Sequence, residues 1–401
     1  MVAKVKPQVR DRGGPVSLGE ELGRGGEGSV YELTNRPDLV AKVYHENISS
    51  EKAAKIEAMA AITTDRLLSL TAWPVELLRT VNGRPCGLLM PKVTGYKDIH
   101  HLYSPKSRKV QFPNADWRFL IRAAANTARA FAAIHNAGCV IGDVNQGGVM
   151  VSDKATIKLI DCDSFQVSAQ GRKFLCEVGV PDFTPPELQG RSFKGILRTP
   201  NHDNFGLAIL IFRLLFMGRH PFAGRFLGSG DMPIEKAIAE FRFTYGSRRA
   251  SVQMEPPPNT PEITSASVPI ALLLERAFSR SSVNGSRPSP SEWISALEEL
   301  EQQLKQCDVN ASHHYVKGLQ LCPWCYIEAA TGVVLFNFYV YQQGSGTTFD
   351  IHIAWGRIVS VQPPGPAPAL LSRHDLGIIR PCQEAARRAG VQLCGNWGWP
   401  R

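Results

Sequence analysis

Apolar and polar residues alternate, as in strands, on the flanks of "LGEELGRGGEGSVYELT" (residues 18–34), which predicts two strands joined by a glycine turn. The turn-forming "NRPD" separates these from a third short strand, "LVAKVY". The rhythm then changes to helical spacing in "SSEKAAKIEAMAAI", where Ile56, Met59 and Ala60 share a face. "CGLLMPKV" reads as an apolar strand that stops at Pro91, ahead of a hinge. A long helix follows in "DWRFLIRAAANTARAFAAIHNAG", with Ile121, Ala124, Ala128, Phe131 and Ile134 in register and Gly138 as its terminator. "ATIKLIDCDSFQV" predicts a strand that ends at Asp161 and Asp163. The run "FGLAILIFRLLFMG" is about 14 residues long and carries Arg213, too short for the roughly 20 residues of a membrane span, so it reads as a buried helix. Ser289 and Glu292 bracket Pro290 as a capping box that opens another helix. Near the end, "GVVLFNFYVY" looks like strand, "QQGSG" like a turn, "FDIHIAWGRIVSV" like helix or strand, and "PPGPAPALL" like a stiff linker.

A chain of 401 residues with 43% apolar content is long enough for a large two-lobed domain plus an appendage. Its +9 charge is mild and scattered, which argues against nucleic acid and membrane surfaces as partners. The charged start "MVAKVKPQVRDRGGP" has no apolar segment behind it, so no signal peptide is expected. Nine cysteines, an odd number, argue against a disulfide framework and for a cytoplasmic protein.

The chemistry concentrates at three places. Gly23, Gly25 and Gly28, followed by Val30, form a G-x-G-x-x-G turn whose bare backbone can approach phosphate oxygens. Strand rather than helix follows these glycines, which excludes a dinucleotide-binding arrangement. Lys42 lies inside an apolar strand and needs a counter-ion. A nucleotide phosphate and a carboxylate of the next helix, Glu57 or else Glu51, would supply one. Asp143, Asp161 and Asp163 stand at the ends of short apolar segments, as divalent-metal and phosphate chemistry requires.

The order of these motifs resembles the eukaryotic-like protein kinases, over roughly residues 15–305. "GRGGEGSV" is similar to the glycine-rich loop, "VAKV" to the ATP-binding lysine strand and "IGDVNQGG" to the catalytic loop. "DCD" replaces D-F-G, and "PPE" with Glu187 resembles A-P-E. "HDNFGLAILIFRLLFMGRHPF" is similar to the helix that opens on a structural aspartate, Asp203, and Arg287 would pair with Glu187. "GDVN", "DSFQ" and a trailing "CPWC" point to divergent bacterial members.

The resemblance implies an α+β, bilobal fold: a tail over 1–14, a small β-rich lobe over 15–92 and a larger helical lobe over 93–305. It also implies ATP and Mg²⁺ (or Mn²⁺) as cofactors, with Gly23, Gly25, Gly28, Val30, Lys42, Glu57, Met90 and Asp161 around the nucleotide. Asp143 would orient the acceptor hydroxyl of a protein substrate, with Lys42 and Asn145 beside it, and Ser/Thr transfer is the family default. Relatives of this kind imply a metal-dependent phosphatase and a von Willebrand A-type protein as partners. The alternative is a pseudokinase, a nucleotide-binding scaffold.

Four departures bear on activity. Gly148 has no side chain where a second metal ligand belongs, and Asn145 is neutral where a lysine belongs. Asp163 or Asn145 is therefore expected to complete the Mg²⁺ site with Asp161. Gly142 replaces the arginine that reads activation-loop phosphorylation, and Val180 replaces a threonine. Beyond the last kinase-like helix, Cys307, His313 (or His314), Cys322 and Cys325 form a set suited to structural Zn²⁺, giving a zinc knuckle over 306–330. A thioredoxin-like pair would need a strand before it and a long helix after it. Residues 331–401 form a tail whose function is unread, with Cys382 and Cys394 as free thiols. In a third reading, this knuckle and tail act as a binding module.

Overall fold

The structure, a computed structural model, describes residues 6–169 and 171–337. The four strands read from sequence, β3 (Leu18–Arg24), β4 (Gly28–Leu33), β5 (Leu39–Tyr44) and β7 (Pro85–Pro91), form one antiparallel sheet with three that were not, β1 (Val9–Asp11), β2 (Gly14–Val16) and β6 (Glu76–Thr80). Their order is β2-β1-β6-β7-β5-β4-β3. Directly paired residues share a face. Val30, Lys42 and Leu88 therefore lie on one side of the sheet, as do Val40 and Met90. That side meets helix α1 (Ser50–Ala61) through Ala53, Ile56, Leu77 and Leu88. Ser49 caps α1 by accepting from the Lys52 amide at 3.0 Å. The other side buries Val9, Leu33, Ala41, Val43 and Leu89. Helix α2 (Asp65–Leu70) joins α1 to β6.

After the hinge come β8 (Tyr96–Asp98), α3 (Ile99–Tyr103), α4 (Pro105–Gln111) and the long α5 (Trp117–Asn136). Asp116 caps α5, and Gly138 follows it at φ 72°. Strands β9 (Val149–Ser152) and β10 (Ile157–Leu159) complete a three-stranded sheet with β8. The hairpin β11 (Val167–Ala169) and β12 (Arg172–Phe174) leads towards α6 (Pro200–Leu215), nearly all of it buried. The short pair β13 (Arg225–Phe226) and β14 (Met254–Glu255) flanks α7 (Ile234–Ala239). Then α8 (Val268–Ala277) and α9 (Pro290–Gln302) pack on α5 and α6, and the Ser289–Glu292 capping box forms. Arg287 grips Glu187 with two bonds of 2.7 and 2.8 Å. The result is a β-rich lobe and a helical lobe, an α+β bilobal fold.

The last described elements are β15 (Leu304–Gln306), β16 (His314–Val316) and α10 (Pro323–Thr331). They share the helical lobe's core through Tyr315, Trp324, Ile327, Leu335 and Phe336. The strand expected over 332–341 does not form as far as Asn337. Leu335 and Phe336 turn inward, and buried Arg108 donates to the Leu335 carbonyl at 2.8 Å and lies 4.7 Å from the Phe336 ring. The other elements expected after Asn337, and Cys382 and Cys394, lie outside the described residues. Among the described residues, no helix is long and apolar enough to cross a membrane.

His220, just beyond α6, ties the helical lobe to the segment ahead of "PPE". Its Nε2 lies 3.0 Å from the Asp182 carbonyl, and its Nδ1 accepts from the Phe222 amide at 3.2 Å. Burial, then the nearby Arg213 charge, push the imidazole down to about 3. The folded value lies below the ordinary one, so the contribution of the neutral ring is whole above about pH 6.5 and is lost as pH falls towards 3. Urea unfolding between about pH 6 and pH 4 should show wild-type stability falling by about 1 kcal/mol per pH unit more than that of His220→Gln. Parallel profiles would refute this assignment.

Candidate active site

Lys42 on β5 is the cation expected in the cleft, but its partner comes from elsewhere than expected. Its Nζ bonds Asp163 Oδ1 at 2.8 Å and lies 3.5 Å from Asp161 Oδ1. Glu57 points away and pairs with Arg79 at 2.8 Å on the exposed side of α1. Glu51 sits exposed in the first turn. The reason is helical geometry: the cleft-facing positions of α1 hold Lys52 and Lys55, while Glu57 falls on the opposite arc. Lys52 Nζ is 3.0 Å from Asp163 Oδ2, and Tyr44 donates to that same oxygen at 2.6 Å. Burial opposes the charge on Lys42, but Asp163 first and Asp161 second outweigh it and raise its pKa.

Asp163 is therefore not placed as the metal ligand expected of it. It is 3% exposed and both its oxygens are filled by donors. Burial alone would raise its pKa, but Lys42 and Lys52 overcome that and hold the carboxyl well below the usual range. Asn145 is also committed. Its Oδ1 accepts from the Gly147 and Gly148 amides at 2.8 and 3.2 Å, and its Nδ2 donates to the Asp143 carbonyl at 3.1 Å. An amide oxygen with two donors has no lone pair left for a metal ion. The residue stiffens the loop that carries Asp143. Asp161 differs: its side chain is 67% exposed and its backbone is left-handed at φ 55°.

Asp143, Asn145, Gly148 and Asp161 line one cleft pocket with Phe131 and Leu159. Burial raises the pKa of Asp143, against the lowering effect of Asn145 and Arg198, and its Oδ1 is buried with no hydrogen-bond partner. Such an orphaned acceptor suits an incoming hydroxyl. The loop around it is held from below by Asp203 at 1% exposure, which accepts from the Ile141 and Gly142 amides at 2.7 and 2.8 Å and meets His135 at 2.9 Å. On the β-rich lobe, a Cβ at Gly28 would meet the Val43 carbonyl at 2.6 Å, so the strand pairing itself requires glycine there. Gly23 and Gly25 lie exposed at the turn; Gly23 faces open space, and the Gly25 amide donates to the Gly28 carbonyl at 2.9 Å.

Two residues missed by sequence reasoning set the segment after Asp161. A Cβ on Gly142 would come within 2.6–2.7 Å of the Cys176 side chain, so Cys176 fills the space where kinases carry arginine. Arg198 donates to the Gly142 carbonyl at 3.0 Å and to the Val178 carbonyl at 3.2 Å, stapling the catalytic loop to that segment. Neither carries a motif signal, because each acts through packing or backbone carbonyls.

In the knuckle, the donor atoms of Cys307, His313, Cys322 and Cys325 all lie within 4.8 Å of one another. Cys307 and Cys325 sulfurs are 3.6 Å apart, and His313 Nδ1 is 3.4 Å from Cys325 and 3.7 Å from Cys322. A tetrahedral zinc with bonds of about 2.3 Å to sulfur has edges of about 3.8 Å, so these residues fit that ion. His313 Nε2 faces Glu328 at 3.2 Å, an outer partner typical of a ligating histidine. The alternative His314 does not join them; its Nδ1 turns to Asp116 at 3.3 Å.

The contrast between the two aspartates is measurable by chemical denaturation. Asp163→Ala, which strands buried Lys42 and half-buried Lys52, should lower the unfolding free energy by about 3 kcal/mol. Asp161→Ala, at an exposed side chain, should change it by less than about 1 kcal/mol. Equal losses would show that Asp163 is not the shared counter-ion.

Residues 16–283 match the protein kinase domain family. The chain is 41% identical over 403 residues to protein kinase YegI of Escherichia coli strain K12, and 42% identical over 406 residues to protein kinase YegI of Escherichia coli O157:H7. Each alignment covers 96% of this chain, which spans 62% of the length of each relative. With its two lobes, its cleft and this likeness over nearly its whole length, the chain belongs to the protein kinase family, among the bacterial eukaryotic-like members.

Proposed function

We propose that this chain is an ATP- and divalent-metal-dependent protein kinase that transfers phosphate to protein hydroxyls, serine or threonine by family default. The observation that carries this reading is the convergence of Lys42, Asp143 and Asp161, from distant parts of the chain, on one cleft. When bound, ATP supplies the transferable phosphoryl group. Lys42 would hold its phosphates, and the exposed carboxylate of Asp161 would hold the metal ion. Asp143, with its free buried oxygen and raised pKa, would orient the acceptor hydroxyl and take its proton. Asn145 would keep that loop rigid rather than bind metal. Arg198 would hold the following segment in place with no phosphate needed. The partner set of a metal-dependent phosphatase and a von Willebrand A-type protein rests on the sequence resemblance alone.

A scaffold reading is favoured by one specific observation. With Gly148 bare and both Asp163 and Asn145 engaged, Asp161 is the one carboxylate of its segment free to face a metal ion. Transfer of labelled phosphate by the purified chain separates the two. Asp143→Ala and Lys42→Ala should each cut incorporation by at least about 10²-fold. Nucleotide-induced thermal stabilisation with no incorporation by the wild type would favour the scaffold.

We also propose structural zinc at Cys307, His313, Cys322 and Cys325. Four protein ligands leave no position open for water, which fits a structural site. Purified protein should carry stoichiometric zinc by elemental analysis. Cys322→Ser should lose the metal and lower the melting temperature, whereas full metal content in that variant would refute the ligand set.

A further inference from the structure

Kinase-like motifs lead one to expect a carboxylate on the helix facing Lys42, but α1 presents an ammonium there. Lys52 Nζ lies 3.0 Å from Asp163 Oδ2 and 3.3 Å from the Asp163 carbonyl. It is also 3.8 Å from Glu27, within the glycine-rich loop, and 5.3 Å from the Tyr44 ring centre. Lys42 holds the other oxygen of the same carboxylate at 2.8 Å. The two ammonium groups therefore stand one carboxylate apart, under the loop.

Charge accounting makes this arrangement incomplete on its own. The side chains of Lys42, Lys52 and Asp163 are 10%, 24% and 3% exposed, so two cations share one buried anion. Asp161 and Glu27 are 67% and 65% exposed, and water screens their charges. Surplus charge in a poorly hydrated site is costly unless a counter-ion completes it. The shape of the site, below a glycine turn and beside a free carboxylate, suits a polyanion with a metal ion. The catalytic loop shows a matching deficit, because Asn145 is neutral and Gly148 brings no ligand.

We propose that Lys52 is a second phosphate-binding cation. With Lys42 it brackets the polyphosphate of the nucleotide, and Asp163 is the shared counter-ion that keeps both within reach. This inference rests on the nucleotide reading of the cleft. Its rival is a purely structural Lys52 that anchors α1 to the segment after Asp161.

Calorimetric titration of the full chain with ATP, ADP and adenosine, at fixed Mg²⁺, decides between them. Lys52→Met should weaken ATP and ADP by about tenfold or more, the range of a lost charged hydrogen bond, and leave adenosine affinity unchanged. Retained adenosine binding also shows that the variant is folded. Lys52→Arg should recover most of the loss. Equal weakening of all three ligands, or unchanged ATP affinity in Lys52→Met, overturns the inference alone. Wild-type protein that binds neither ATP nor adenosine overturns the nucleotide reading and this inference with it.

Discussion

One buried carboxylate holds the two lobes in their working relation. Asp163 accepts from Lys42 and Tyr44 on β5 and from Lys52 on α1, while its own chain continues into the segment that leads to the helical lobe. In a low-dielectric cleft such a node is strong because three donors satisfy one anion completely. Helix position, strand position and segment conformation are therefore not independent variables here. A helix that swung outward would pull Lys52 off Asp163 and leave its Oδ2 to Tyr44.

The backbone plan was legible because it is written in periodicity and punctuation. Alternation gave β3 to β5, helical spacing gave α1 and α5, and Ser289–Glu292 marked the start of α9. Local physics dominates at those sites, and the chain follows it. The charge network was not legible in the same way. Glu57 looked like the partner of Lys42 because it is acidic and on the right helix, but direction around the helix axis decides, and that arc faces Arg79. Tyr44 carried a usable signal: two residues after Lys42 on one strand, it had to share its face. Asp163 looked like a metal ligand because it stands two residues from Asp161. A short helical turn over Cys162–Ser164 sends the two carboxylates to different surroundings, one buried and one facing solvent. That divergence is tertiary and leaves no trace in spacing.

The same distinction explains the knuckle. Its Cys/His cluster was readable because Cys307, Cys322 and Cys325 are soft donors at close spacing, and they come together with His313. Which of two adjacent histidines turns inward depends on the neighbours each one meets. His313 finds Glu328 behind it, and His314 finds Asp116, the capping residue of α5. Nothing local separates them.

Trp324 of the knuckle stacks edge-on against Trp117, the first residue of α5, with ring centres 5.1 Å apart. Phe336 seals the same place, with the Arg108 guanidinium over its ring. The recognisable family segment ends at residue 283, whereas the hydrophobic interior it belongs to runs on to Phe336. The family match and the packed hydrophobic core thus have different borders. A truncated gene product cut at residue 283 would bare the Trp117 indole and the interior Arg108 guanidinium to water.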